Sequence, residues 1–173
     1  MKHMKTIILG LAMTGLAHAA TPSKVAEVVL EDSTGKKIGT ALLTETDHGV
    51  KISLRASGLT PGAHGIHFHE IGKCETPSFK SAGGHFQPLG HEHGLQNPEG
   101  PHAGDLPNLQ VNAKGEATAE MLSTQVKLDD SKMSLLKSGG TALVIHAKPD
   151  DQHTSPSGNS GDRIACGVVK PKS

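Results

Sequence analysis

At 173 residues, with 17 basic and 17 acidic side chains and 12 histidines, the chain carries no formal net charge at neutral pH. That length suits one ordinary domain and not comfortably two. Three Phe with no Trp or Tyr leave no stacking platform, and basic residues gather only at Lys2 to Lys5 and Lys170 to Lys172, which argues against nucleic acid as a partner.

Met1 to Ala19 reads as a secretory signal peptide. Lys2 and Lys5 give a positive start, Ile7 to Leu16 an apolar run, and Ala17-His18-Ala19 a small-residue cleavage site before Ala20. The apolar run is too short to span a bilayer, and no cysteine follows the cut, so no membrane anchor is expected. A start at Met4 would change none of this. The expected mature product is one domain, residues 20–173, exported to the periplasm or the extracellular space. Losing Lys2 and Lys5 leaves 15 basic residues against 17 acidic, a net charge of about −2. In an oxidising compartment Cys74 and Cys166 are a candidate disulfide, with thiolate ligation of a metal the lesser alternative. Such a bridge closes a loop of about 90 residues, worth roughly 4 to 5 kcal/mol in the chain-entropy model.

From Val25 to Glu31 apolar and polar residues alternate, and Asp32-Ser33-Thr34-Gly35 follows as a turn. Ile38 to Thr46 makes a second strand, and Asp47-His48-Gly49 turns into a third, Val50-x-Ile52-x-Leu54, that ends at Gly58. A fourth strand carries Gly65 to Glu70, and a fifth and sixth flank the turn Asn112-Ala113-Lys114-Gly115. Two more are predicted at Thr141 to His146 and Arg163 to Val169, with one short helical turn over Ser131 to Lys137. Two long Gly/Pro/His-rich loops remain, Ile71 to Pro107 and Ala147 to Asp162, and loops of that length in a small domain signal function. Short strands with Gly-rich turns indicate an all-β sandwich or barrel.

Seven side chains form the candidate site: His67-x-His69, His85, His93, His102-x-x-Asp105 and His146. Residues two apart on a strand face the same side, so His67 and His69 project together, whereas His64 falls on the opposite face and is left out. One tetrahedral ion uses four ligands, so seven imply two ions sharing one histidine. A nitrogen-rich set with one carboxylate and no thiolate suits copper and zinc. The blander readings are an exposed histidine pair, a solvated loop, and a strand-end histidine at position 146. Composition does not choose between His91 and His93, and His48 and His153 read as surface residues.

The motifs Gly65-Ile-His-Phe-His-Glu70, Gly84-His-Phe-Gln-Pro88, Gly100-Pro-His-Ala-Gly-Asp-Leu106, Ile145-His-Ala-Lys-Pro-Asp150 and Gly161-Asp-Arg-Ile-Ala-Cys-Gly-Val168 resemble the copper/zinc superoxide dismutases in an exported bacterial form. The resemblance spans most of the mature chain. It implies an eight-stranded antiparallel Greek-key β-barrel, a flattened sandwich with two long functional loops. It makes His67, His69, His85 and His146 copper ligands and His85, His93, His102 and Asp105 zinc ligands, choosing His93 over His91. His85 is then a shared imidazolate, expected to leave reduced copper and take up a proton during turnover. Asp150 is implied as a carboxylate joining His67 to His93, Arg163 as the cation that holds superoxide beside copper, and Cys74–Cys166 as the intrasubunit disulfide.

The implied reaction is disproportionation of superoxide to dioxygen and hydrogen peroxide by a monomer or homodimer. With the mature charge near −2, Arg163, aided by Lys148, must focus the field locally, against Asp162 beside it. Two other classes make different demands: a metal carrier without turnover, which a missing ligand or missing Arg163 would favour, and a mononuclear zinc hydrolase, which needs an open zinc position.

Overall fold

The computed structural model describes residues 23–172, so the signal peptide read over Met1 to Ala19 lies outside the described residues. Three long strands come first: β1 (Val25–Asp32), β2 (Lys37–Thr46) and β3 (Gly49–Ser57). Alternation drives them. Along β1, Ala26, Val28 and Leu30 are buried while Glu27 and Val29 face outward, so one face of the meander feeds the core. The turn at Asp32 is set by its carboxylate, which accepts from Thr34 N, Thr34 Oγ1 and Lys36 N.

The chain then crosses to the far edge through β4 (Gly62–His64) and β5 (Ile66–His69), returns through β6 (Leu109–Val111) and β7 (Glu116–Ser123), and ends in β8 (Ala142–His146), β9 (Arg163–Val168) and β10 (Lys170–Pro171). All of these strands pair antiparallel, in the order β5-β8-β9-β1-β2-β3-β7, with β10 also on β1. β4 pairs instead with β6, which leads through the Asn112 turn into β7. The curled sheet therefore approaches closure where one strand changes partners at Gly65. Gly65 donates its N–H to Lys148 O and accepts from His146 N, so it binds the end of β8 and the start of the second long loop.

Ten strand elements are present among the described residues where eight were expected. The excess is two interruptions of one residue: Gly65 between β4 and β5, and Val169 between β9 and β10, whose N–H goes to Thr141 O. A second correction concerns Ser131 to Lys137, which forms turns and no helix. Lys127 N bonds Met133 O and Leu135 N bonds Lys127 O, so the segment pairs back on itself while Leu135 is drawn wholly into the core. Among the described residues the helical element is a 3₁₀ turn at Lys80–Ala82, inside the first long loop.

Two apolar clusters result. The larger fills the barrel with residues such as Leu30, Leu43, Ile52, Phe68 and Ile145. The smaller joins Phe79, Ala82, Ala142, Val144 and Cys166 on the outer side of β8 and β9. Its disulfide, Cys74–Cys166, has Cα atoms 5.6 Å apart and fastens the loop from residue 74 to 83 over those strands. The strands β5 and β8 are thus buried on both faces, by the core on one side and by loops on the other.

Candidate metal centre

β5 and β8 run side by side in the register His67 opposite Val144 and Ile66 opposite Ile145. Because side chains alternate, Ile66 and Phe68 enter the core and His67 and His69 emerge together on the loop side. His146 ends β8 next to Arg163 of β9. The loop side also receives His85, bridged to His69, and Asp105, bridged to His67. All seven candidate ligands are buried, between 0% and 7% exposed. His91, by contrast, is exposed, as are His48 and His153.

These side chains fall into two groups of four whose ligand atoms lie within 4.8 Å of one another: His67, His69, His85 and His146, and His85, His93, His102 and Asp105. In the first group the outward nitrogens are committed. His67 Nε2 donates to Asp150 Oδ2 at 2.6 Å, His69 Nδ1 to the Gly83 carbonyl at 3.0 Å, and His146 Nδ1 to the Gly161 carbonyl at 3.1 Å. Each neutral ring has one N–H, so the inward nitrogens carry lone pairs. His69 Nε2 and His146 Nε2 face each other at 3.4 Å, and buried His67 Nδ1 and His85 Nε2 have no hydrogen-bond partner. Converging lone pairs without donors are what a cation would satisfy.

The second group converges on Asp105. Its Oδ1 lies 2.9 Å from His85 Nδ1, 3.0 Å from His93 Nδ1 and 3.6 Å from His102 Nδ1, while Oδ2 accepts from Gly94 N and His102 N. His93 Nε2 donates to Asp150 Oδ1 at 3.0 Å, which leaves Nδ1 turned inward. Asp150 therefore bonds Nε2 of His67 through one carboxylate oxygen and Nε2 of His93 through the other. Asn108 fixes Asp150 reciprocally, bonding its backbone O and N at 2.8 Å each. His85 alone turns both ring nitrogens inward, one toward each group.

Glycine is required at two points of this packing. Gly94 has φ 112° and abuts the Gln152 carbonyl, and Gly158, φ 61°, lies directly over the Asp150 carboxylate and His93. A Cβ at either would displace the groups that aim the ligands.

The electrostatics divide along the same line. Burial pushes His67 down to about 3 and His146 down to about 4, and it lowers His69 and His85 as well, so the first group is neutral and ready to ligate at pH 7. Burial also opposes protonation of His93, but the carboxylates of Asp105 and Asp150 overcome it and raise His93 to about 9. Burial works against ionisation of Asp105 and Asp150 too, and hydrogen bonds from the surrounding histidines nevertheless hold both well below the usual carboxylate range. Positive charge is favoured at the second group, whether a proton or a metal dication supplies it.

Arg163 donates Nη1 to Phe79 O at 2.7 Å and Nη2 to Gly83 O at 2.6 Å. The Gly83 carbonyl also receives His69 Nδ1, so one backbone oxygen ties the arginine to the first group. No bond links the guanidinium to Asp162, and half-burial lowers the Arg163 pKa from its ordinary value. A depression of about 490 Å³ opens here, lined by Pro77, Ser78, Lys80, Gly161, Asp162 and Arg163. The Lys148 stem lies against Gly161 at its rim.

Sequence reasoning missed several supports. The carbonyls of Phe79, Gly83 and Gly161 have no side-chain signature. His64, set aside by parity, is no ligand, yet it is buried and bonded to the carbonyls of His146 and Thr60 at 2.7 and 2.8 Å. Its place three residues before His67, on a strand, was the available signal.

Residues 37–169 match the family model described as copper/zinc superoxide dismutase. Superoxide dismutase [Cu-Zn] 1 of Aquifex aeolicus (strain VF5) is 56% identical over 138 residues, covering 79% of this chain and 82% of the relative. Superoxide dismutase [Cu-Zn] 2 of the same organism is 48% identical over 172 residues, covering 98% of this chain and 100% of the relative. Among solved structures, a SOD-like protein from Bacillus subtilis superposes with a TM-score of 0.81 at 44% identity, covering 83% of this chain and 97% of that one. With the matched model spanning both ligand groups, the chain belongs to the copper/zinc superoxide dismutase family.

Proposed function

We propose that His67, His69, His85 and His146 hold copper, that His85, His93, His102 and Asp105 hold zinc, and that the site disproportionates superoxide, the reaction of this family. In it, two superoxide anions and two protons become one dioxygen and one hydrogen peroxide. The observation that carries the reading is His85, whose two ring nitrogens enter two separate, buried ligand groups. When bound, copper supplies the one-electron couple and zinc a redox-inert charge that orders the loop.

The chain's own residues do the rest. Asp150, Gly83 O and Gly161 O select the tautomers that turn the ligand nitrogens inward. Arg163, held by two carbonyls of the disulfide-fastened loop, presents a permanent cation to a small anion in the open depression. His85 Nε2 is the buried atom at which a proton can be held between the two halves of the reaction. The second group already has four protein ligands, which leaves no open position for a hydrolytic zinc.

Export follows from the same reading. It is supported by the leader composition of Met1 to Ala19 and by the Cys74–Cys166 bridge. No helix among the described residues is long and apolar enough to cross a membrane.

Metal analysis of the purified protein with a superoxide assay, before and after chelation and metal return, tests the assignment. About one copper and one zinc per chain are expected. In His146→Ala, activity falls to the uncatalysed level while zinc stays, and equal loss of both metals would overturn the assignment.

A further inference from the structure

The second long loop grips His93 on two sides, and Asn97 of its own loop holds a third. Asp150 Oδ1 receives its ring, as above. Its backbone N–H, wholly buried, donates to Ser155 Oγ at 3.2 Å, and Ser155 in turn donates its hydroxyl proton to Glu92 Oε2 at 2.5 Å. Its carbonyl accepts from Asn97 Nδ2 at 2.9 Å, and the same nitrogen reaches His153 O at 3.3 Å. Two further bonds close the seam: Gln96 N donates to Gln152 O at 3.1 Å, and His153 Nε2 pairs with Gln96 Oε1 at 3.0 Å. Residues 92–97 thus lie along residues 150–155, joined by hydrogen bonds between loops that sequence separates by more than 50 positions.

We infer that Ser155 is a positioning residue for the zinc site, and that its hydroxyl, oriented by Glu92, sets how tightly His93 holds the ion. The inference rests on the assignment of His93 to zinc. Its physical basis is local. Once Ser155 Oγ is gone, a fully buried N–H has no acceptor, and such a group is stabilised by moving toward water, which drags the His93 ring off Asp105. The hydroxyl both accepts from His93 N and donates to Glu92, so the carboxylate holds the serine rotamer in place. Through this residue the loop that ends at Gly161, Asp162 and Arg163, beside the anion depression, also controls retention of the distant ion. Groups that orient a ligand without touching the metal typically change metal affinity by about 10- to 100-fold when removed.

The test measures zinc release from the copper- and zinc-loaded protein into excess chromogenic chelator at fixed pH. Ser155→Ala should release zinc about tenfold faster than the parent. Ser155→Thr, which keeps the hydroxyl, should restore slow release, and Glu92→Ala should give an intermediate rate. Equal release from Ser155→Ala and the parent would overturn the inference. So would equal acceleration in the Ala and Thr variants, which would mark a packing role in place of a hydroxyl role. Zinc stoichiometry of the parent is read in the same experiment: a parent that binds no zinc refutes the ligand assignment, whereas a zinc-loaded parent indifferent to Ser155 refutes only this inference.

Discussion

The two halves of the metal centre are built from different material. His67, His69 and His146 stand on β5 and β8, neighbouring strands whose ladder and two-sided burial fix each Cα before any ion arrives. His93, His102 and Asp105 belong to a loop with no strand of its own, held by side-chain hydrogen bonds that converge on one carboxylate. The contrast teaches where each half gets its order. Strand backbones order His67, His69 and His146; a buried negative charge and its cationic partner order the loop-borne group. The charges agree, since burial keeps the strand-borne histidines neutral while two aspartates make a site for positive charge in the loop.

Removing Asp105 should break the comparison most sharply. In Asp105→Ala two backbone N–H groups and three histidine nitrogens lose their common partner, so zinc binding should vanish. Amide exchange should rise steeply over residues 91–105 and stay slow in β5 and β8. Equal deprotection of those strands would show that both halves depend on the loop.

Opening the disulfide in a Cys74→Ser, Cys166→Ser variant should cost up to about 5 kcal/mol in urea unfolding. Activity per bound copper should fall as well, because the freed loop carries the Phe79 and Gly83 carbonyls that hold Arg163. Stability lost without any change in activity per copper would uncouple the loop from the site.

Arg163→Ala should lower the rate roughly tenfold and flatten its salt dependence, with both metals retained, while Arg163→Lys recovers part of the loss. An unchanged salt dependence would move the anion attraction elsewhere on the depression, with Lys80 and Lys148 the remaining cations there.

The effects of pH on the metal-free protein have opposite signs in the two halves. His67 and His146 have folded pKa values of about 3 and about 4, below the ordinary 6.5, so as pH falls the unfolded chain takes up protons first. Their contribution is present above pH 6.5 and is lost as pH falls from 6.5 to about 3 for His67 and to about 4 for His146, by at most about 1.4 kcal/mol per pH unit for each histidine. His93, raised to about 9, contributes stability that is complete below pH 6.5 and disappears as pH rises through 9. Urea unfolding of the metal-free protein across pH 4 to 10 should show both limbs, and Asp150→Asn should weaken the alkaline one. A single acid limb, unaffected by that substitution, would contradict the split.

Much of the centre was legible in the chain because its chemistry lies in side chains. His-x-His within an alternating segment already places two imidazoles on one face, and seven candidate nitrogen and oxygen ligands already suggest two ions with a shared histidine. Period two in β1 to β3, and Gly-bearing turns between them, already specify an antiparallel meander. Other features had no local mark. Ser131 to Lys137 has a helical composition, but pairing with Lys127 and burial of Leu135 made turns of it. Gly65 lies where the chain passes from pairing with β6 to pairing with β8, and Val169 where it passes from pairing with β8 to pairing with β1.

The sequence by itself determined which atoms are available to hold metal and which face of a strand each occupies, since both depend on residue identity and a period of two. The tertiary structure decided which nitrogen of each ring points inward. That choice is made by the carbonyls of Gly83 and Gly161 and by Asp150, and it rests on contacts between segments 14 to 83 residues apart. Backbone oxygens are the same in every residue, so only the folded chain shows which of them a histidine meets.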